Sequence, residues 1–403
     1  MTGTSAPVKP SRITGTRLRV RPTHCRKSTK MDSILNSTAL SRRNLLKTGS
    51  YLAALASLGL PGLSFAADMA DWAAAPDLEK AKEEGKLFNT YGMPDSWANY
   101  GEIIQSLGKA HGFAPEHADT DMSSLEEITK FDAEKNNAVA IAADIGILFG
   151  KVAEAQGVVP DYMPPNAAKL PVGLKGEKGG WVATFTGVPA MVVNADVIKN
   201  VPKTWDDLLK PEYTGKVGAV NAAGGGGTDI AIFLAWAFAH GGSDTDLLPG
   251  VEFARRMAPQ YTTASQNAQT LERGEAPIQM KYDFNCIAAA DALKKKGINA
   301  QVVIPGVSVY APSALMLNRY NLAKMNVAKL LIDYVLSDEG QVLFAKFGAR
   351  PIRWVLGDLD LPAEAKANWL PDADYAQVKQ VADWSKVDME AIVTAWQEQV
   401  LGG

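Results

Sequence analysis

Residues that build disulfides and metal sites are scarce here, with 2 Cys and 4 His in 403 residues. Cys25 lies in a basic head, so Cys286 stands alone beyond residue 66. No intramolecular disulfide can then staple the body, and its stability must come from core burial. No Cys pair stands at zinc spacing, no His-Glu-x-x-His occurs, and no glycine fingerprint opens a first strand–helix unit. Zinc-hydrolase and dinucleotide chemistry therefore have no foothold. Internal repeats, low-complexity tracts and a further apolar run of about 18 residues after residue 66 are also missing. A 47% hydrophobic, 21% charged composition is that of a globular chain long enough for two domains.

Acidic residues are nearly absent from the first 66 positions, where 11 Lys and Arg face the single acid Asp32. Residues 67–403 hold 30 basic and 43 acidic residues, a net charge of about −13. So acidic a body offers no positive footprint for nucleic acid or anionic lipid. The head runs from Ser41-Arg42-Arg43-Asn44-Leu45-Leu46-Lys47 into the apolar stretch 51–65 and the small-residue exit Ser64-Phe65-Ala66. It resembles a twin-arginine secretion signal, with cleavage expected after Ala66 and the twin-arginine translocase as partner during export. Gly59, Pro61 and Gly62 break the apolar stretch too early for it to span a bilayer. The residue directly after the cleavage point is Ala67 and not Cys, so a free periplasmic protein without a lipid anchor is expected. Residues 1–30 are assigned no function.

Beyond residue 67, strand-like and helix-like stretches alternate. The pattern predicts strands at 86–90, 139–147, 216–220 and 276–282, extended structure at 181–193, and helices at 98–110, 124–135, 204–209, 322–336 and 340–347. Residues 228–239 are apolar all round and predict a buried helix. Strands separated by helices argue for an α/β fold with largely parallel sheets.

Several runs carry a family resemblance: 201–217 (VPKTWDDLLKPEYTGKV), 336–341 (LSDEGQ), Glu84-Gly85-Lys86, Ala143-Asp144-Ile145, Gly187-Val188-Pro189 with Asn194, and Ala349-Arg350-Pro351-Ile352. In these the chain resembles the periplasmic substrate-binding proteins of ABC importers, the type related to ferric-iron, polyamine and aminoethylphosphonate binders. The resemblance implies a two-lobed type II periplasmic-binding-protein fold. Each lobe would be a mainly parallel sheet flanked by helices, and two crossing hinge strands, expected at 181–193 and 307–317, would join them. It places one lobe at 67–185 plus 312–355 and the other at 189–307 plus 356–403. The 201–217 run reads as scaffold, with Thr204 able to cap a helix and Trp205 and Leu208 able to bury.

Ligand contacts should lie at strand ends and helix starts around the crevice. The first candidates are Asp95, Ser96 and Trp97, which a capped turn over a packed indole would also explain. Asp121, Ser123 and Ser124 come next, with either serine also suited to capping the following helix. Gly226, Gly227 and Thr228 could present backbone N–H groups to an anion, or serve only as a hinge. Tyr282, Asp283 and Tyr310 complete the set, with a core tyrosine as the alternative for Tyr282. Asp144 and Asp196 read as caps or turns. Tyr282, Asp283 and Asp95 could supply part of an Fe(III) site. Trp97, Tyr282 and Tyr310 could instead wall an ammonium neutralised by Asp95, Asp121 or Asp283, and a zwitterion would use both this wall and the glycine–helix site. On this reading Asp283 and Trp97 can be removed together without harming the empty fold.

The resulting expectation is a monomeric, cofactor-free solute binder that closes about a hinge on a small polar solute bearing an amine, an acid or both, and delivers it to a permease and ATPase in the inner membrane. A ferric-iron binder of the same fold, a TRAP-type or sensory binding protein, and a periplasmic enzyme are the other classes compatible with the sequence.

Overall fold

A computed structural model describes residues 72–402, all within the unit Arg42–Gly403. The twin-arginine run, the cleavage point and the extension 1–30 lie outside the described residues. From the start of the described chain, α1 (Leu78–Glu84) leads into β1 (Leu87–Tyr91), α2 (Tyr100–His111) into β2 (Glu116–Thr120), and α3 (Ser124–Ala133) into β3 (Ala140–Gly146). The three strands are parallel in the order β2-β1-β3. β3 is buried along almost all of its apolar length, as a parallel strand covered on both faces must be. β2 escapes prediction because its Glu-His-Ala-Asp-Thr composition suits a half-exposed sheet edge.

After α4 (Phe149–Ala155), β4 (Trp181–Gly187) passes through Val188 directly into β5 (Pro189–Asn194). Then come α5 (Gly227–Ala239), α6 (Leu248–Met257), α7 (Ala268–Glu272), β6 (Ile278–Tyr282), α8 (Asp283–Lys295), β7 (Ala300–Val303) and β8 (Ser308–Leu317). The described chain ends with α9 (Met325–Tyr334), α10 (Asp338–Phe347), β9 (Arg350–Pro351), α11 (Ile352–Val355), β10 (Val378–Gln380) and α12 (Met389–Ala395). Seven strands form one sheet, in the order β2-β1-β3-β8-β4-β9 with β10 beside β8, and three form another, in the order β6-β5-β7.

The expectation of mainly parallel sheets needs correction, because β8 pairs antiparallel with β3 and β4, and β5 pairs antiparallel with β6 and β7. β5 continues directly from β4 of the other sheet and β8 follows β7 of the other sheet, and β5 runs opposite to β6 and β7 as β8 does to β3 and β4. The seven-stranded sheet is therefore mixed, with β9 also antiparallel to β4, and the three-stranded sheet is antiparallel throughout. Residues 216–220 form no strand of their own; Val217 makes only isolated bridges to Tyr261 and Ile278.

The scaffold motif behaves as its chemistry dictates. The Asp207 N–H donates to Thr204 Oγ1 at 3.1 Å, and the buried Trp205 donates its indole N–H to the Val307 carbonyl at 2.9 Å. Trp205 meets Trp236 of α5 edge to face at 6.2 Å between centroids. α5 buries Ile232, Phe233, Leu234 and Trp236 completely, each contributing roughly 1.5–3 kcal/mol. The first residue of α5, Gly227, lies against Gly146 at the end of β3.

Candidate functional site

The carboxyl ends of β1, β3 and β6 and the amino ends of α3 and α5 surround a cavity of about 230 Å³. After β1 the chain turns at Gly92, whose φ of 63° and close approach to the Glu127 carboxyl exclude any Cβ. That turn brings Trp97 to the cavity, where its indole N–H donates to Asp144 Oδ2 at 2.6 Å and its ring meets Phe284 edge to face. Asp144, near the end of β3, also accepts from the Tyr100 hydroxyl at 3.0 Å. Burial raises the Asp144 carboxyl to about 8, although both donated hydrogen bonds pull it down.

Behind Gly92, Glu127 is fully buried with neither carboxylate oxygen hydrogen-bonded. Burial first and the neighbouring Asp144 charge second hold its carboxyl well above the usual range. Across the cavity, Asp229 in the first turn of α5 accepts the Asn221 N–H at 3.0 Å, and burial raises it to about 6. Asp121 joins the wall from the loop before α3. Among the described residues, no Lys, Arg or His lines this cavity.

Of the residues singled out from sequence, Trp97, Asp121, Ser123, Ser124, Gly226, Gly227, Thr228 and Tyr282 share this wall. Ser123 takes the capping position considered for the serines. Ser123 starts α3, with Glu126 accepting from its N–H at 2.8 Å, and Ser124 Oγ accepts the Gly146 N–H at 3.1 Å. Tyr282 is 2% exposed, stacks on Phe284 and still borders the cavity. Ser96 lies one chamber out, in an adjoining space of about 440 Å³ that shares Trp97, Asp121 and Thr228 with the first.

Asp95, Asp283 and Tyr310 are elsewhere. Asp95 is exposed and pairs with His117 at 2.9 Å. Tyr310 lies where β8 pairs with β10 and packs on a separate apolar cluster around Val188, Ala190 and Cys286. Asp283 is completely buried and fully engaged. Its Oδ2 accepts from Arg350 Nη1 at 2.6 Å and the Tyr375 hydroxyl at 2.8 Å, and its Oδ1 accepts the Val188 N–H at 2.9 Å. The Arg350 guanidinium lies 3.5 Å over the Tyr375 ring. Asp283 therefore locks the β4–β5 junction and is no ligand contact, and its removal cannot be neutral for the empty fold. The donors considered for Fe(III) are accordingly separated, and among the described residues no group of three or more His, Cys, Asp or Glu is placed to hold a metal ion.

Asp144, Asp229 and Glu127 were not singled out for binding. Asp144 read as a cap or turn, yet an acid inside the apolar strand Ala-Ile-Ala-Ala-Asp-Ile is a signal in its own right, since burying it needs a partner or a purpose. Asp229 was masked by the apolar run of α5, and Glu127 by the ordinary amphipathic pattern of α3.

The description of bacterial extracellular solute-binding proteins matches residues 142–378. An uncharacterised protein of Haemophilus influenzae is 28% identical over 246 residues, 54% of this chain and 64% of that protein's length. In fold, the chain is similar to the periplasmic binding protein AfuA from Actinobacillus pleuropneumoniae, solved with fructose 6-phosphate, at a TM-score of 0.59 and 15% identity over 79% of this chain and 98% of that one. The ferric binding protein from Campylobacter jejuni gives a TM-score of 0.57 and 18% identity over 77% of this chain and 98% of that one. The architecture is thus the type II periplasmic-binding-protein fold, and the two solved structures are of binding proteins. With more than half its length matched, the chain belongs to the bacterial extracellular solute-binding protein family.

Proposed function

We propose that the chain captures a small amine-bearing solute in the 230 Å³ cavity and, as the periplasmic binding component of an ABC importer, delivers it to a membrane permease and its ATPase. The observation that carries this reading is a wall with three carboxyl groups, a fourth behind it, and no basic side chain among the described residues. An ammonium there gains charge-assisted hydrogen bonds from Asp144, Asp229 and Asp121 and the faces of Trp97 and Tyr282. Fold neighbours described as an ABC transporter substrate-binding protein from Bradyrhizobium japonicum and a putative spermidine/putrescine ABC transporter from Listeria monocytogenes support the importer role. Export by the twin-arginine route and a monomeric state belong to the same proposal. So does the division into lobes 67–185 plus 312–355 and 189–307 plus 356–403, with recognition by closure about β4–β5 and β8 and no covalent change in the solute.

A thermal-shift screen tests the solute class. Ligand at a hundred times its dissociation constant adds about 2.7 kcal/mol, which at roughly 2.1 cal/mol/K per residue moves the midpoint by about 4 °C. Short alkylamines or diamines should produce that shift. A shift with phosphate esters or neutral sugars and none with any amine overturns the reading.

Closure has its own test. A Cβ on Gly227 would stand 2.7 Å from the Gly146 Cα, backbone against backbone in the cavity wall. Neither glycine has a positive φ, so alanine costs nothing in backbone conformation when the two segments are apart. Gly227→Ala should weaken amine binding at least tenfold by calorimetry while the empty protein melts within a few degrees of wild type. Unchanged affinity would show that closure does not need this contact.

A further inference from the structure

The outer chamber differs from the inner one in a single respect that sets ligand chemistry. Lys281 of β6 lines it, half-buried, with its ammonium 3.5 Å from the Gln266 carbonyl and no ion-pair partner among the described residues. Burial holds this ammonium below the usual lysine range, so it lacks the solvation an exposed lysine enjoys. Asn285 and Ser96 border the same space, and neither side chain makes a hydrogen bond to another described residue. The Gln266 side chain is engaged, donating to the Ala219 carbonyl at 2.8 Å and accepting the Met280 N–H at 3.0 Å. Asp121 is the chamber's one carboxylate, on the wall shared with the inner cavity.

Along the cleft the wall therefore changes from carboxyl groups alone to an ammonium without an ion-pair partner among the described residues, two free amide or hydroxyl donors and the one shared carboxylate of Asp121. We propose that Lys281, with Asn285 and Ser96, forms an anion subsite, so that the solute is a zwitterion whose ammonium lies among Asp144, Asp229 and Asp121 and whose carboxylate or phosphonate lies on Lys281. This rests on the amine reading of the inner cavity. It makes Lys281 the residue that separates ω-amino acids from diamines of equal length, since a second ammonium would face Lys281 as a like charge, whereas an acidic group supplies its missing partner.

The test is calorimetric titration of the whole protein with matched series of two to six carbons: alkylamines, diamines, ω-amino carboxylates and ω-amino phosphonates. Wild type should bind its best ω-amino acid at least tenfold tighter than the diamine of equal length. Lys281→Met keeps the aliphatic stem and should abolish that preference, leaving the plain alkylamine unchanged, and Lys281→Glu should invert the preference towards the diamine. Folding of each variant is read from its melting curve, and Lys281→Gln serves as a second neutral form. A wild type that prefers the diamine, or a preference that survives Lys281→Met, overturns the subsite while leaving the amine reading standing. Failure of every amine in the series overturns both.

Discussion

Replacing Asp283 with alanine is expected to destabilise the empty protein by about 3–5 kcal/mol, because it strands the buried Arg350 guanidinium without its counter-charge. At roughly 2.1 cal/mol/K per residue over the described chain, the melting midpoint falls by about 4–7 °C. The loss reaches further than one ion pair. Val188 N–H and the Tyr375 hydroxyl lose their acceptor at the same time, and Val188 is the residue at which β4 becomes β5. Removing both charges in Asp283→Ala/Arg350→Met should cost less than the sum of the two single changes, since neither partner is then left buried and uncompensated. Melting curves of the four proteins form the cycle. A single Asp283→Ala variant that melts within a degree or two of wild type would mean that the network does not hold the junction.

Asp144→Asn should move binding and stability in opposite directions. In the empty cavity the Asp144 carboxyl, raised to about 8, keeps its proton at neutral pH. An ammonium favours the ionised form, so binding expels the proton. Amine affinity must then rise with pH, by up to tenfold per unit for each proton released, and level off above about 8. Asp229, raised to about 6, completes its part of the change earlier. Asparagine preserves the shape and an acceptor for Trp97 but removes the charge. Amine affinity at pH 8 should fall about 30-fold or more, the cost of about 2 kcal/mol or more for truncating one partner of a buried charge pair.

For the empty protein the sign is the reverse. A carboxyl whose folded value exceeds its unfolded value contributes stability at low pH that is lost as pH rises from about 4 towards 8. The asparagine variant escapes that loss, so at pH 8 it should melt above wild type, with the advantage shrinking towards pH 4. Calorimetry in buffers of different ionisation enthalpy counts the protons, and scanning calorimetry follows the melts. A dissociation constant that does not change between pH 5.5 and 8.5 would remove Asp144 from the ammonium site.

How much of this could be read from the sequence depends on the length scale of the cause. Thr204, Trp205 and Leu208 act within one turn, and their capping and burial are legible directly. The run 139–147 and the apolar run before Ala239 are likewise legible, because periodicity and hydrophobicity are local. That Trp97, Ser124 and Gly227 line the candidate cavity was legible because strand ends and helix starts have recognisable composition. Asp283 was misjudged for a different reason. Its partners Arg350 and Tyr375 lie 67 and 92 residues away, and no local pattern distinguishes a ligand carboxylate from one consumed by a distant guanidinium. The direction of β5 and β8 is also non-local, since it follows from which sheet a strand has already left.

β8 occupies the middle of the seven-stranded sheet but is among the last of its strands to be made. On the ribosome, at about 5–20 residues per second, β3 waits roughly 10–30 s after its own synthesis before its antiparallel neighbour appears. For that interval the apolar run Ala140–Gly146 presents an open edge to any other nascent strand. Until β8 is finished, one specific seven-residue strand thus stands without the antiparallel neighbour that completes its pairing.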